Sequence, residues 1–347
     1  MLSSLIPKKC VAVHHSPGSF SDRWLEHCSL NRIPHIVVDC YASDIMTQLA
    51  SARMLLWHWS HGIPKNHLMA RSLIMAAEAT GLKVFPSYST CWHYDDKLAQ
   101  KYLLEAVGAP LVPTHIFYDR DEALGWIERA SFPVVFKLRK GAGSENVGLV
   151  RSSHEAARLV NRAFGPGFNP GSRYLSDFGV KLARARQRRD LLGVLRRLPR
   201  SVRVALSARQ GFQAERGYVL FQDFIAHNEF DTRITVIGNR AFAFTRDVRH
   251  GDFRASGSGS IKYAAERIDQ RCVEVAFATT RRIGAQSLAF DFVRGPASEP
   301  LLVEISYCYQ AEAVYNCPGH WDETLAWREG HVWPQDAILE DMLDAVE

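Results

Sequence analysis

The chain has 347 residues, of which 47% are hydrophobic and 23% charged, with a formal net charge of +5. This is ordinary globular composition, long enough for roughly two or three packed units, and the charge is too small to argue for a nucleic-acid partner. No run approaches the roughly 20 apolar residues of a membrane-spanning helix, and Met1–Lys9 lacks the apolar stretch of a secretory signal, so a cytoplasmic protein without a firm membrane partner is expected. The seven cysteines are odd in number and none sits in a Cys-x-x-Cys pair. Buried free thiols fit that pattern better than a disulfide framework or a zinc site.

Over residues 1–90, short apolar runs alternate with helical patterns. Cys10–His14, His35–Cys40 and Met54–Trp59 read as buried strands, and Phe20–Leu30 and Pro64–Thr80 as helices. Pro64 suits a first helical position and Gly81 the position just past an end. Strand and helix in alternation predict a small parallel sheet. From Pro113 the pattern changes. Thr114–Phe117, Val134–Leu138 and Val147–Val150 read as short strands, with helices near Asp121–Arg129 and after Ser152, where Glu155 completes a capping-box spacing. A mixed sheet with helices on one face is expected.

Residues 165–217 differ again. A Gly/Pro-rich stretch leads into a basic segment carrying Arg188, Arg189, Arg196 and Arg197, with Leu191, Val194, Leu195 and Leu198 on one helical face. Two readings stand for this insertion: a platform for an anionic acceptor, or a solvated helix whose leucines pack on the body. Beyond it, Val219–Ile225, Arg233–Ile237, Ala241–Val248, Leu288–Val293 and Leu301–Ser306 read as strands. Gly238-Asn239 marks a hairpin, Arg267–Gly284 a helix, and a last helix starts at Asp336.

Chemistry enters through charged residues in apolar strands. Asp291 lies inside Leu288–Val293 and Glu304 inside Leu301–Ser306. A buried carboxylate is costly unless it is paired or binds a metal. A Mg²⁺ ion between the two would remove their repulsion and leave positions for phosphate oxygens. Exposure to solvent, or pairing with arginines, is the competing reading. Lys137 in Phe132–Leu138 likewise needs an anion. The loop after it, Lys140-Gly141-Ala142-Gly143-Ser144-Glu145-Asn146, could close backbone N–H groups on phosphate or be a plain turn.

The order of these features resembles the ATP-grasp superfamily, closest to the branch of ribosomal-protein glutamate ligases. The resemblance runs from Asp96-Lys97 and Gly108–Thr114, through Lys137 and Gly141–Ser144, to Leu220–Ile225 and Asp231–Gly238. It ends with Arg246, Gly251–Gly257, Asp291 and Glu304. It implies an α/β and α+β chain with the ATP-grasp fold. A parallel-sheet pre-ATP-grasp domain would span 1–90, a first lobe 91–164, the basic helical insertion 165–217, and a second lobe with the C-terminal tail 218–347. The two α+β lobes would clasp ATP.

By that resemblance Lys97, Lys137, Gly141, Gly143 and Ser144 contact the nucleotide phosphates. Gln222, Asp223 and Ile225 line the adenine hinge, with Asp231 beside the nucleotide. Arg233, Arg246 and Arg254 meet the charge of the transferring phosphoryl group or acyl phosphate. Asp291 and Glu304 hold Mg²⁺, with Ser306 where an asparagine is expected. The implied activity is ATP- and Mg²⁺-dependent ligation of a small-molecule carboxylate to an amine through an acyl phosphate. An ATP-binding regulator with weak or no turnover, and a kinase-like phosphoryl transfer, are the alternatives. Ser306 and Ser256, in place of asparagines, and Glu145 in the phosphate loop depart from the family pattern.

On the substrate side, His14, His15, Trp57, His58, Trp59 and His61 lie at strand ends, where ligands bind in open parallel sheets. They fit a substrate contact or a satisfied core equally. Tyr307–Trp321, directly after the metal strand, is expected to wall an acceptor pocket. It loosely resembles tails of ATP-grasp proteins of surface-polysaccharide synthesis, which would imply a sugar-acid or amino-acid substrate. A homo-oligomer is left open.

Overall fold

A computed structural model describes residues 10–141, 146–168, 214–248, 254–255 and 260–345. The N-terminal unit alternates β1 (Cys10–His14), α1 (Phe20–Leu30), β2 (His35–Val38), α2 (Ile45–Gln48), β3 (Ala52–Leu56), α3 (Pro64–Ala79) and β4 (Lys83–Phe85), followed by a short α4 (Tyr88–Cys91). The four strands pair in parallel in the order β2-β1-β3-β4, as the alternation predicts. Val11–Val13 and Met54–Leu56 are fully buried at its centre. Helix α1 starts where Ser19 accepts the Ser21 N–H, and Pro64 occupies the first turn of α3. The third strand stops at Leu56, so Trp57–Trp59 form the loop beyond it.

The middle of the chain supplies α5 (Lys97–Ala106), β5 (Thr114–Phe117), α6 (Arg120–Ile127), β6 (Val134–Lys137), β7 (Val147–Val150), α7 (Ser153–Ala163) and β8 (Val219–Asp223). The small sheet runs β5-β8-β6-β7, and every pairing is antiparallel rather than mixed. Strand β8, grouped with the last lobe on sequence order, sits between β5 and β6. Its one apolar face needs the partners that α6 and α7 already cover. Phe136, Val219 and Phe221 pack there against Ala123, Ile127, Ala156 and Val160 in a core of their own. The Ser152 hydroxyl accepts the Glu155 N–H, so α7 is capped as expected. Phe168 and Glu215 exchange both backbone hydrogen bonds at 2.9 Å and so pair the two ends of the insertion. The basic segment between them lies outside the described residues.

The remaining chain builds a larger sheet from β9 (Phe230–Ile237), β10 (Arg240–Asp247), β11 (Ile261–Lys262), β12 (Ser287–Arg294), β13 (Pro300–Ser306), β14 (Gly319–Asp322) and β15 (Trp327–Glu329). Around it lie α8 (Gln270–Ile283), α9 (Ala311–Tyr315) and α10 (Pro334–Asp344). The order is β13-β12-β9-β10-β14-β15, with β11 on β10. Gly238, at φ +54, opens the two-residue turn that sets Ile237 against Arg240. The last helix returns to the first: Trp24 Nε1–H donates to the Gln335 carbonyl at 2.9 Å, and Arg23 grips Asp336 with two nitrogens.

The segments flanking β5 and β8 hydrogen-bond to the large sheet. Leu302 on β13 donates its N–H to Pro110 O at 2.7 Å and accepts from Val112 N–H at 2.8 Å. Asn228, beyond β8, accepts the Arg294 N–H at 2.8 Å and donates to the Arg294 carbonyl at 3.1 Å. No described helix is long and apolar enough to cross a membrane. All seven cysteines are free, and most are buried.

Candidate active site

A cleft of ≈ 330 Å³ lies between the two sheets. Alternation along the strands decides what enters it. On the small sheet Phe136 and Phe221 turn to the core, which leaves Val135, Lys137 and Gln222 on the cleft side. On β12, Phe290 and Phe292 stack on the far face of the large sheet, with centroids 6.3 Å apart, and Asp291 between them turns to the cleft. Asp231, Val293, Val303, Glu304 and Arg254 complete that wall, and Phe224–Asn228 close the hinge end.

Asp291 and Glu304 are directly paired across β12 and β13. The register then slips: Asp291 faces Glu304, but Phe292 faces Leu302, so Val303 is an extra residue. This bulge breaks the alternation and lets both Val303 and Glu304 reach the cleft. Asp291 is buried. Its carboxylate takes two nitrogens of Arg233, its neighbour on β9, at 2.6 and 2.7 Å, and Arg246 NH2 at 3.0 Å. Arg246 in turn grips Asp231, its partner across β10 and β9, at 2.7 and 2.5 Å. The result is an alternating row, Asp231–Arg246–Asp291–Arg233, on one face of the sheet. Burial pushes the Asp291 carboxyl up, but Arg233 and Arg246 outweigh it and hold it well below the usual range. Burial raises the Asp231 carboxyl against the pull of Arg246.

The donor set fits a divalent cation. Asp291 and Glu304 are adjacent hard oxygen ligands at the mouth of a cleft, and Glu304 is a third exposed. The arginines engage Asp291 through both oxygens, yet each carboxylate oxygen can accept more than one partner. Among the described residues no cluster of three or more His, Cys, Asp or Glu could hold a metal alone. These two acids would therefore need water or phosphate oxygens to complete an ion's shell.

Facing them are two lysines. Lys97 is the first residue of α5, where Asp96 caps the helix by accepting the Ala99 N–H. Its ammonium donates to the Gly141 carbonyl at 2.7 Å and stands 3.5 Å from Glu304. Lys137 is buried and donates to Gln222 Oε1 at 2.6 Å, while Gln222 Nε2 donates to Thr114 Oγ1 at 3.0 Å. Burial lowers the Lys137 ammonium to about 8, against the upward pull of Glu304 and Asp291 and with a downward push from Lys97. Lys137 is thus a partly desolvated cation that donates to a neutral amide.

Asp223, the last residue of β8, and Ile225 just beyond it line the cleft. Asp223 lies 3.2 Å from His115, and Ile225 gives its carbonyl to Asn228 at 3.4 Å. Sequence reasoning missed Asn228 and Thr114, whose roles appear only with the sheet register. It also missed Val112, Val135, Val147 and Val303, the aliphatic walls of the cleft. Of the phosphate loop, Gly141 is described, and Gly143 and Ser144 lie outside the described residues, as does Ser256. Arg254 lines the cleft.

Other expectations are redirected. Ser306 stands two residues beyond Glu304 on β13, and its hydroxyl donates to the Cys308 carbonyl at 2.8 Å, closing a local turn. Tyr307 and Tyr309 are core residues, not a pocket wall. The Tyr307 hydroxyl bonds the Trp59 carbonyl, and that of Tyr309 the Ser287 hydroxyl at 2.7 Å. Trp57 and Trp59 are buried, His58 stacks on Phe20 at 3.9 Å, and His14 accepts the Cys40 N–H at 3.1 Å. Trp57, His58 and Trp59 are thus core residues, although His58 Nε2 is buried without a hydrogen-bond partner among the described residues, whereas His15 is exposed beside Asp22 and His61 is half-buried against the Tyr94 hydroxyl.

Residues 194–316 match the model of a RimK-like ATP-grasp domain. The search of curated proteins found no match. Solved structures resemble the chain over most of its length. A RimK domain ATP-grasp protein from Sphaerobacter thermophilus DSM 20745 is 13% identical, over 96% of this chain and 98% of that one, with a TM-score of 0.55. The D-alanine–D-alanine ligase from Bacillus anthracis is 11% identical, over 97% and 98%, with a TM-score of 0.57. The D-cycloserine synthetase DcsG is 15% identical, over 96% and 99%, with a TM-score of 0.55.

Proposed function

From the match of residues 194–316 to a RimK-like ATP-grasp domain and a fold shared with ATP-grasp structures, we propose that the chain is an ATP-dependent ligase joining a carboxylate to an amine. The observation that carries the reading is the facing arrangement of the cleft. Lys97 and Lys137 stand on one side, the paired acids Asp291 and Glu304 on the other, and Arg233 and Arg246 behind them. Phosphoryl transfer needs positioning and charge neutralisation more than covalent help from the protein.

In this reading the γ-phosphoryl group passes to a substrate carboxylate oxygen, giving an acyl phosphate and ADP. The amine nitrogen then attacks the acyl carbon, the C–O bond to phosphate breaks, and the amine gives up a proton as the amide forms. Lys97 and Lys137 orient the phosphate oxygens. Arg233 and Arg246 lie where charge spreads during transfer, and both are held rigid by Asp291 and Asp231. Asp291 and Glu304 would hold Mg²⁺, which would supply charge neutralisation to the phosphates when bound.

The test is product mass. Purified protein with ATP, Mg²⁺ and a panel of small carboxylates and amines should release ADP and phosphate together with an amide. A phosphorylated product without amide would replace ligation by kinase chemistry. Nucleotide binding without turnover would favour a regulator, a second reading supported by the engagement of both Asp291 oxygens by Arg233.

A further inference from the structure

We propose that Asp95 is a positioning residue of the nucleotide site, fixing Gly141 and, through it, the Lys97 ammonium that faces Glu304. The proposal rests on the nucleotide-binding part of the reading above. Asp95 stands in the turn before α5, next to the capping residue Asp96. Its φ is +53, a left-handed conformation in a residue other than glycine. Such a backbone persists where its surroundings over-determine it, and it concentrates at functional sites. Its carboxylate is 7% exposed and must be partnered.

Both oxygens are used. Oδ1 accepts the Gly141 N–H at 2.8 Å, and Oδ2 lies 3.5 Å from His67 Nε2 on α3. Gly141 has φ +117, which favours glycine. Its carbonyl receives Lys97 Nζ at 2.7 Å, and that ammonium is 3.5 Å from Glu304. Gly141 is therefore gripped on both sides, at its N–H by Asp95 and at its C=O by Lys97. The chain of contacts runs from the N-terminal unit to the acid pair: His67, Asp95, Gly141, Lys97, Glu304.

Asp96 cannot substitute. Its carboxylate caps α5 at the Ala99 N–H and lies 3.4 Å from Arg139 Nε. Asp95 connects to Glu304 through Gly141 and Lys97. A residue serving stability alone would affect every ligand alike. One that positions the phosphate end should affect ligands in proportion to the phosphates they carry.

The experiment uses the full chain with Asp95→Gly and Asp95→Asn. Glycine accepts the left-handed backbone but has no carboxylate, whereas asparagine keeps an oxygen for the Gly141 N–H. Calorimetric titration with the non-hydrolysable ATP analogue AMPPNP and with AMP, both with Mg²⁺, gives the readout, beside thermal unfolding of each variant. Loss of one charge-assisted hydrogen bond should weaken AMPPNP about tenfold in Asp95→Gly, AMP under about twofold, and AMPPNP in Asp95→Asn under about threefold. If Asp95→Gly does not fold, Asp95→Ser replaces it, since serine is too short to reach Gly141. Unchanged AMPPNP binding in the variant without the carboxylate overturns the proposal. So does equal loss of AMP and AMPPNP, or an asparagine variant as weak as the glycine one. Wild-type protein that binds neither nucleotide would instead sink the nucleotide reading itself, and this proposal with it.

Discussion

Asp291 and Glu304 are directly opposed on neighbouring strands, yet one is locked and the other is open. Asp291 is buried and bidentate to Arg233, with Arg246 at 3.0 Å, whereas the Glu304 side chain is 33% exposed and lies 3.5 Å from Lys97.

The two acids should separate in a comparison of stability with activity. Asp291→Asn leaves the buried Arg246 and the half-buried Arg233 under-compensated and should cost about 3 kcal/mol of stability. Glu304→Gln removes a half-open contact and should cost under about 1 kcal/mol. Both should lower Mg²⁺-dependent ADP release by at least about a hundredfold, the scale of losing one electrostatic stabiliser. Denaturant unfolding and nucleotide turnover read the two effects. A fully active Glu304→Gln protein would contradict its metal role.

Lys137 predicts a pH dependence with a definite sign. Its ammonium, lowered by burial to about 8, is charged below that pH and increasingly neutral above it. ATP affinity should be flat near pH 7 and fall as pH rises through about 8, by up to about tenfold per pH unit. For stability, the cost of burying the charge is fully present below the folded value and is relieved as pH rises toward the unfolded one. Lys137→Met should therefore stabilise the protein at pH 7 by about 2 kcal/mol while removing most ATP affinity. A destabilised Lys137→Met with normal affinity would contradict both statements.

The pair Asp231 and Arg246 should behave as a unit. A double-mutant cycle with Asp231→Asn and Arg246→Met should give a coupling of about 2–3 kcal/mol in urea unfolding. Additive losses would mean that the bidentate contact carries no net energy.

Asn228 is the fourth test. Asn228→Ala removes both bonds to the Arg294 backbone and should cost about 1–2 kcal/mol. The KM for ATP should rise several-fold with a smaller change in kcat. An unchanged KM would mean that the hinge is held by its other contacts.

Much of the architecture was legible in the sequence because it depends on local pattern. The strand of Thr114–Phe117, the Ser152 cap and the Gly238 turn are decided by neighbours in the chain. The placement of β8 was not legible, because strand pairing is a long-range choice. Nothing in Val219–Asp223 says that it will insert between β5 and β6. The same limit applies at the site. Asp291, Glu304 and Lys137 stand out as charges in apolar runs. The Asp291–Arg233 contact depends on the register of β9 against β12, and the reach of Glu304 on the extra residue at Val303. Tyr307 misled for a related reason: a polar aromatic next to an active strand can equally be a core residue whose hydroxyl finds a carbonyl.

Two links to the large sheet, Leu302 with Pro110 and Val112, and Asn228 with Arg294, both fall on the β12–β13 pair. The small sheet is tied elsewhere too: the Arg139 carbonyl accepts the Lys97 N–H at 3.0 Å, and Gly141 is held by Asp95 and Lys97. Helix α5, which carries Lys97, meets β13 in turn, where the Ile305 N–H donates to Gln100 Oε1 at 3.3 Å. A shelf on brackets at more than one side does not swing as a door does, so these contacts set the spacing of the cleft walls.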